Sequence, residues 1–554
     1  MFKKITYTFI IFFLSLNSFA QNNSGEIHGD FDLNMQSYQE DELIGAKAAD
    51  EIILNNAYLN INYTKGYFAA GLRYESYLNA LLDFDNDYKG NGVPFRYATY
   101  TIDGLEVTVG NYYEQVGSGL IFRSYENKGL GADNAMDGIR LKYSPLKGVY
   151  LKSFIGKSRT YFTYAEGIIR GADAEVSVNE ALNLESKTRI IIGQGIVSRF
   201  QADNNPKFKL PQNVAAYSSR INIINGGWSY YGEYATKLND PSDGLNSDEK
   251  NYANGSALTS SLTYSKRGFG IVAEMHRVDH MAFHSERAGE KQHIINYIPT
   301  LTKQHTYTLL ALYPCATQTE GEFGTQIDVF FKIKKGSLLG GKYGTKITFN
   351  LSNISSLENG IKYNTIIEDE EISSSFKNDY NNFTPKFFSK DGESYFKDVN
   401  LEVYKKINKK IKATGILAFQ SYNKDILEGK TGYGIVQSTI AIADISYKIK
   451  KGHTVRIELQ ELLADGGDGS WSMGLAEYTI SPHWFFAVQD MYNWGNYDVS
   501  KQLHYVNVDC GFLKGANRIA IGYGKKRAGI FCVGGVCKEV PSSNGFSLTI
   551  SSSF

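Results

Sequence analysis

The chain has 554 residues, and its 58 basic and 58 acidic residues leave no net charge at pH 7. This balance lacks the basic footprint of a nucleic-acid-binding protein. Only 10 prolines argue against Pro-rich linkers, and we find no domain boundary. Tyr (39) and Phe (32) are abundant although the mean hydropathy is only -0.30. This composition fits a β-barrel with aromatic girdles around a polar lumen, and a large soluble β-protein would share it.

The N-terminus predicts a secretory signal peptide. Lys3 and Lys4 precede an apolar run over residues 5–16, and Ala20 completes an A-x-A-like cleavage site before Gln21. The run is too short to cross a bilayer as a helix, and Gln21 is not a lipidated cysteine. We therefore expect residues 1–20 to be cleaved and residues 21–554 to form the mature protein.

Amphipathic hairpins follow along the whole chain. Residues 57–64 and 68–75 alternate apolar and polar side chains on either side of a Lys65-Gly66 turn. The pattern recurs at residues 149–155, 188–198, 327–333, 347–351, 399–403, 455–459, 506–512 and 519–523. On each strand, the face opposite the apolar one carries charged groups such as Asp328, Arg456 and Glu458. A polar lumen tolerates these charges and the core of a soluble protein does not. The sequence predicts an all-β fold: a single large antiparallel up-and-down transmembrane β-barrel of about 24 strands, within about 18 to 26.

Short turns, such as Asp103-Gly104 and Lys514-Gly515, alternate with longer polar loops, as periplasmic turns and extracellular loops do. The longest loop is expected outside the cell over about residues 353–395. Its acidic run, residues 368–371, is interpreted as solvated. Between residues 271 and 306 the up-down order is ambiguous, because the loop over residues 284–303 fits either side of the membrane.

Residues 110–140 interrupt the hairpins. The stretch starts as a strand, loses alternation at Gly117-Ser118-Gly119, and resumes as a strand at Ile139. We interpret it as a loop folded into the lumen, where opposed charges set selectivity. A solvated surface loop explains the same charges equally well. The candidate residues of this lumen constriction are Glu114, Arg123, Glu126, Asp133, Asp137 and Arg140.

Here the chain resembles a family of uncharacterised Gram-negative outer-membrane β-barrels of unknown function. The motifs are Gly110-Asn111, Gly117-Ser118-Gly119 and the return from Asp133 to Asp137-Gly138, with further similarity at residues 305–313, 338–344, 481–486 and 532–537. The resemblance implies a fold and a location but no substrate. The chain is more faintly similar to alginate-export and phosphate-selective porins. It has Asn111 where those porins carry a basic residue, so their substrates do not carry over.

His276, His280 and His284 are spaced by four residues and suggest a metal cluster. On a strand, residues four apart lie about 13 Å from each other, too far to share an ion whose ligands lie at about 2 Å. We therefore predict lumen-facing or loop histidines and no metal site. Since no catalytic motif is complete, the sequence predicts neither an enzyme nor a cofactor.

Of the four cysteines, Cys532 and Cys537 flank a Gly534-Gly535 turn. A two-residue hairpin would place them opposite each other, close enough for a disulfide. Half of a metal site is the alternative. Cys510 shares an apolar face and is expected to point to lipid, and pairing with Cys315 is not favoured.

The last nine residues alternate again, with Phe546, Leu548, Ile550 and Phe554 on one face. Ending on an aromatic residue, they predict the closing strand of the barrel, by which the protein inserts into the membrane.

The first functional hypothesis is a porin-like channel for small hydrophilic solutes in the outer membrane. The second is a barrel with a closed lumen that acts as an accessory subunit of a secretion or assembly complex. Expected partners are outer-membrane lipid and lipopolysaccharide, the barrel-assembly machinery during insertion, and unidentified complex subunits. No nucleic-acid partner is expected.

Overall fold

A computed structural model describes residues 25–204, 210–240, 253–287, 289, 291–357, 387–388, 392–533 and 536–554. The expected signal peptide, residues 1–20, lies outside the described residues, as do the acidic run at 368–371 and the tip of the Cys532–Cys537 hairpin.

Most residues of the described chain lie in β-strands. Its strands are β1 (Glu26–Tyr38), β2 (Leu54–Lys65), β3 (Phe68–Asn79), β4 (Gly90–Ile102), β5 (Leu105–Tyr112), β6 (Gln115–Val116), β7 (Phe122–Arg123), β8 (Glu126–Asn127), β9 (Ala132–Asp133), β10 (Met136–Leu146), β11 (Val149–Thr160), β12 (Thr163–Ser177), β13 (Thr188–Phe200), β14 (Asn213–Asn225), β15 (Trp228–Asp240), β16 (Ala253–Lys266), β17 (Phe269–Asp279), β18 (Gly321–Ile333), β19 (Thr345–Ser355), β20 (Ser394–Lys406), β21 (Ile411–Asn423), β22 (Ile435–Lys450), β23 (His453–Asp465), β24 (Trp471–Ile480), β25 (Trp484–Tyr492), β26 (His504–Lys514), β27 (Asn517–Lys526), β28 (Gly529–Val533), β29 (Val536–Val540) and β30 (Ser543–Ser553).

Short helices lie only in the connections. They are α1 (Val178–Ala181), α2 (Lys424–Glu428) and four 3-10 turns at Glu42–Ile44, Asn86–Tyr88, Lys291–His293 and Val499–Lys501. None of the described helices has the length and apolar character to cross a membrane.

Twenty-four of the strands form one closed antiparallel barrel. Each strand pairs with the next along the chain, except that β5 pairs with β10 and β27 pairs with β30, because β6–β9 and β28–β29 form separate two-stranded sheets. β30 also pairs with β1, so the wall has no free edge. The structure confirms the predicted all-β barrel of 24 strands.

The two ends of the barrel differ in the length of the connections between strands. At one end, called here the turn end, β1 begins and short turns join β2 to β3, β4 to β5 and so on. At the other, called the loop end, the connections include residues 113–135, 280–320 and 356–393. The described part of residues 280–320 adds no barrel strand, which resolves the ambiguous order between residues 271 and 306. The expected loop over residues 353–395 lies between Ser355 and Ser394, and most of it is outside the described residues.

Apolar packing inside the barrel comes from the chain that enters the lumen. Residues 113–135, the first luminal segment, and residues 280–320, the second luminal segment, supply fully buried side chains such as Phe122 and Phe283. Two apolar clusters result. The first joins both segments to the inner faces of β10–β17, and the second joins the second segment to the inner faces of β19–β25.

Three glycines lie side by side where the wall gives way to the first luminal segment. Gly138 is the register partner of both Gly110 and Gly156. A Cβ on Gly138 would lie 2.0 Å from the carbonyl oxygen of Ile155, and Gly110 has a φ of +96°, which favours glycine. The Tyr112 hydroxyl donates a hydrogen bond to the same Ile155 oxygen at 3.2 Å. The glycines therefore permit a close approach of backbones.

Gly138→Ala is expected to lower the free energy of unfolding by about 1–3 kcal/mol, because the new methyl group overlaps backbone that cannot move freely. Heat-modifiable gel mobility and thermal unfolding in detergent measure the effect. Gly415→Ala is the matched control, since a Cβ on this strand glycine meets nothing within 4 Å. Equal stability of the two variants would contradict the close-packed glycine row.

The predicted disulfide between Cys532 and Cys537 lies in the β28–β29 hairpin, where the two cysteines are register partners. Their side chains lie outside the described ones, so the disulfide stays a prediction. Cys315 and Cys510 have free thiols. Thiol labelling of the unfolded protein without reductant is therefore expected to modify Cys315 and Cys510 only, and reduction should expose all four cysteines. Labelling of Cys532 before reduction would rule the disulfide out.

Candidate functional site

The first luminal segment is packed against the inner wall by apolar side chains. Val116, Ile121 and Phe122 have no solvent exposure. The Phe122 ring stacks on Phe154 of β11 with 4.6 Å between ring centroids. The backbone N–H of Ser118 donates to a carboxylate of β15 at 2.7 Å. The segment therefore reaches deep across the inner faces of β11 to β15.

A buried cluster of five charges fixes the outer hairpin of this segment, β8–β9. Arg159 of β11 binds Glu75 of β3 and Asp133 of the segment, each at 2.6 Å. Arg73 of β3 binds Glu75 at 2.6 Å and Glu126 at 2.9 Å, and it also contacts Asp133. Glu126 is the most exposed member, with a quarter of its side chain accessible. Because buried charges are tolerated only when paired, the cluster ties the hairpin to one position.

A second charged cluster surrounds Glu114 at the start of the segment. Its carboxylate lies 3.1 Å from Lys152, 3.4 Å from Lys142 and 3.7 Å from Arg140. Arg140 also binds Glu106 at 2.7 Å. Three cations from β10 and β11 thus converge on one buried carboxylate, which fixes the point at which the chain turns inward.

The other two predicted constriction residues lie elsewhere. Asp137 pairs with the exposed Arg96 at 3.2 Å. The Arg123 guanidinium lies over the rings of Tyr125 and Tyr297, at 4.8 and 4.1 Å from their centroids. The structure therefore brings Glu114 together with Arg140, and Glu126 with Asp133. It does not gather all six residues into one ring of opposed charges.

Burial and charge shift two carboxyl groups of the segment in opposite directions. At Glu114, burial opposes ionisation, but Lys152 and the other cations outweigh it, and the pKa lies below its ordinary value. At Glu126, burial is the larger effect and raises the pKa of the carboxyl, although Arg73 acts in the opposite direction.

The second luminal segment joins the first by backbone hydrogen bonds. The N–H of Arg123 donates to the carbonyl of Ile295 at 2.7 Å, and the N–H of Tyr297 donates to Gly119 at 2.9 Å. Ile295 is fully buried between them. The two segments therefore form a single unit inside the barrel.

Beyond this junction the second segment crosses to β20–β23. His305 binds Asp398 at 2.5 Å, and the Tyr307 hydroxyl donates to Asp444 at 3.0 Å. Leu309 is fully buried in the second apolar cluster. The sequence analysis did not predict this segment. The sequence does indicate it, because the apolar residues from Met281 onward lack the alternation of a strand.

One part of the inner wall remains uncovered. Among the described residues, neither segment makes a hydrogen bond or ion pair to β26, β27 or β30, and the second apolar cluster reaches no further than Met491 of β25 and Tyr505 of β26. On this wall Asn507 and Thr549 are half-buried, and Asp509 is exposed. The Asp509 carboxylate lies across Gly522, where a Cβ would sit 2.4 Å from its oxygen. Polar side chains on this side therefore face open lumen.

The three histidines do not meet. His276 pairs with Glu322 of β18 at 2.7 Å, and His280 pairs with its neighbour Asp279 at 2.7 Å. His284 is buried, and its backbone carbonyl accepts a hydrogen bond from a β13 arginine. Within the described ranges, no three His, Cys, Asp or Glu side chains are arranged to hold a metal ion.

A family model described as "Family of unknown function (DUF6029)" matches residues 1–554. The match confirms the resemblance to a family of unknown function. No curated protein matches the chain.

Several solved structures are similar in fold. A chain of the E. coli P pilus tip assembly intermediate PapC-PapD-PapK-PapG is 9% identical with a TM-score of 0.47, over 97% of this chain and 62% of that chain. The ferric enterobactin receptor PfeA of Pseudomonas aeruginosa is 9% identical with a TM-score of 0.42, over 97% of this chain and 81% of that chain. The outer membrane protein OpdK of the same organism is 11% identical with a TM-score of 0.34, over 79% and 99%. The chain thus spans less than two thirds of the first, and none of these likenesses indicates an activity.

The opposite pKa shifts of Glu114 and Glu126 predict opposite effects of two isosteric substitutions. A lowered carboxyl pKa stabilises docking above the ordinary pKa and loses that contribution as the pH falls through the lowered value. A raised pKa does the reverse: the contribution of Glu126 to docking is present below its ordinary pKa and is lost as the pH rises through the raised value. At pH 7, Glu114→Gln should destabilise the segment by about 1–3 kcal/mol, whereas Glu126→Gln should leave it unchanged or stabilise it.

Hydrogen exchange of the amides in residues 113–135, measured by mass spectrometry, tests this pair of variants. Exchange in the β20–β23 wall is the internal control, because neither carboxylate touches it. Equal loss of protection in both variants would contradict the assignment.

Proposed function

Because the chain belongs to DUF6029, a family of unknown function, its activity has to be argued from its own residues, and we propose that it is a channel for small hydrophilic solutes in the outer membrane. The proposed solute path runs along the uncovered wall of β26, β27 and β30. The exposed Asp509 and the half-buried Asn507 and Thr549 carry this proposal. Elsewhere on the inner wall, by contrast, polar groups such as Arg159 and Glu75 are buried beneath the luminal segments.

The outer face of the barrel supports a position in a membrane. Its middle is aliphatic and exposed, as at Ile155, Leu417 and Val508. Exposed aromatic side chains flank this band, as they do at bilayer interfaces. Toward the turn end they are Phe68, Tyr100, Trp228, Phe331, Tyr447 and Trp484, and toward the loop end Tyr74, Tyr217, Tyr234, Phe419, Tyr523 and Phe546.

The size of the barrel supports a channel narrowed by inserted chain. Barrels of about 16–18 strands leave an aqueous channel, and those of about 22 strands hold a plug. A 24-stranded wall encloses a wider lumen, and the two luminal segments pack against the inner faces of β10–β17 and β19–β25, which leaves β26, β27 and β30 uncovered. On this proposal the protein contacts outer-membrane lipid and lipopolysaccharide, needs the barrel-assembly machinery for insertion, and is not an enzyme.

A second candidate is a closed barrel that serves as an accessory subunit of a secretion or assembly complex. The apolar packing of the luminal segments favours it, because Val116, Phe283 and Leu309 are fully buried. Segments held this firmly do not open by small side-chain movements. Conductance separates the two candidates.

Planar-bilayer recordings of the purified protein should show discrete openings, and Asp509→Asn should shift the reversal potential in a KCl gradient toward anions. The physical reason is that Asp509 places an unpaired carboxylate beside the solute path.

Asp490→Asn is the matched control. Asp490 lies on the neighbouring strand β25 but on the outer face, paired with His504. An absence of openings in every salt would reject the channel and favour the closed barrel. Equal shifts in both variants would place the path elsewhere.

A further inference from the structure

Lysines are concentrated in three neighbouring turns at the turn end of the barrel. Residues 332–346 contain five lysines, residues 405–412 five and residues 448–451 three, and these ranges contain no Asp or Glu. They join β18 to β19, β20 to β21 and β22 to β23, and β19 pairs with β20 as β21 pairs with β22. They therefore form one continuous surface, called here the lysine sector.

These lysines have no counter-charge within the described chain, where none of them forms an ion pair. The contacts that they do make are with neutral groups: Lys405 donates to a backbone carbonyl at 3.1 Å, and Lys346 and Lys406 lie over tyrosine rings. The nearest luminal carboxylates are engaged elsewhere, as Glu402 is with Lys303 and Asp444 with Arg456.

Two pairs of these lysines face each other directly across the sheet. Lys332 is the register partner of Lys346, and Lys406 is the partner of Lys412. Like charges at directly opposed positions destabilise a sheet. An anionic group bound over the lysine sector would remove this repulsion.

The placement of the lysines favours a soluble partner over lipid. On β18 and β22 they alternate with Phe331 and Ile449, the apolar residues of the outer face. Side chains on alternate positions point to opposite faces. The lysines of β18 and β22 therefore face the mouth of the barrel and the water beyond it, and the residues of these strands that would meet a bilayer at the same level are apolar. Lys405 of β20 lies on the outer face, where its amine donates to the backbone carbonyl of Leu339.

An exposed apolar pair lies in the longest turn of the lysine sector. Leu338 is 98% exposed and Leu339 is 67% exposed. An apolar anchor surrounded by charge is typical of a protein interface, in which the anchor supplies affinity and the charges supply orientation and association rate.

We propose that the lysine sector is the docking surface for an acidic, leucine-containing segment of a soluble protein. The partner binds at the turn end of the barrel. Leu338 and Leu339 make the apolar contact with it, and the lysines make the electrostatic contact. The proposal is independent of whether the lumen conducts.

The test uses the full-length protein in nanodiscs of zwitterionic lipid. The probes are a fluorescent synthetic peptide of repeated Glu-Glu-Leu units and a polyglutamate peptide of equal charge, with binding followed by anisotropy at several salt concentrations. Native protein should bind the first peptide more tightly than the second, and both more weakly as salt rises.

The principal variant carries Lys334→Gln, Lys335→Gln, Lys409→Gln and Lys410→Gln. It should bind both peptides about tenfold more weakly at low salt, since four exposed charges are removed. The matched control removes four exposed lysines from other turns of the same end, through Lys65→Gln, Lys147→Gln, Lys187→Gln and Lys514→Gln. It should bind as native protein does.

Leu338→Ser with Leu339→Ser separates the apolar contact from the charge. This variant should lose the preference for the Glu-Glu-Leu peptide and keep native affinity for polyglutamate. Heat-modifiable gel mobility verifies that every variant is folded.

Three results would overturn the proposal. One is equal weakening by the control lysine variant, which would mean that affinity follows total charge. Another is an unchanged peptide affinity in the principal variant. The third is loss of co-purified anionic phospholipid, measured by native mass spectrometry, from the principal variant alone while peptide binding persists, which would assign the surface to lipid.

Discussion

Closure of the sheet is the constraint on which the rest of this structure depends. A strand with an unpaired edge exposes a row of N–H and C=O groups, which a bilayer cannot satisfy. Here β30 pairs with β27 on one side and β1 on the other, and Gly29 exchanges two backbone hydrogen bonds with Phe554. Once this seam is made, all 24 strands are paired, and each side chain is committed either to the outer face or to the lumen.

Closure at 24 strands creates a second problem, because wall side chains alone do not fill so wide a lumen. Inserted chain fills the lumen along most of the wall, against β10–β17 and β19–β25. The first segment brings apolar residues such as Phe122, and its acidic residues neutralise cations of the wall such as Arg159. The second segment extends the same packing to β20–β23. Charges that would be costly when buried alone are therefore paired across the junction of wall and segment.

The distribution of charge differs from one part of the barrel to another. Beneath the segments, acids and bases are paired and shielded from water. Along β26, β27 and β30, polar groups such as Asn507 are accessible from the lumen. At the turn end, the lysine sector carries charge with no partner in the described chain. The net charge of zero therefore conceals an uneven distribution of charge over the barrel. We assign solute passage to the accessible wall and partner docking to the lysine sector.

By itself, the sequence determined the strand periodicity, an approximate strand number and the break in alternation near Gly117, because alternation and glycine breaks are local properties of the chain. It left open whether the loop after this break enters the lumen. It also predicted which residues of the first segment carry charge. Only the tertiary structure decided which of them meet: Glu114 and Arg140 lie together, but Glu126 is held by Arg73, 53 positions earlier in the chain by their residue numbers. It alone identified the second luminal segment. Partners so distant in sequence are joined only by the curvature and closure of the wall, and no local pattern records that geometry.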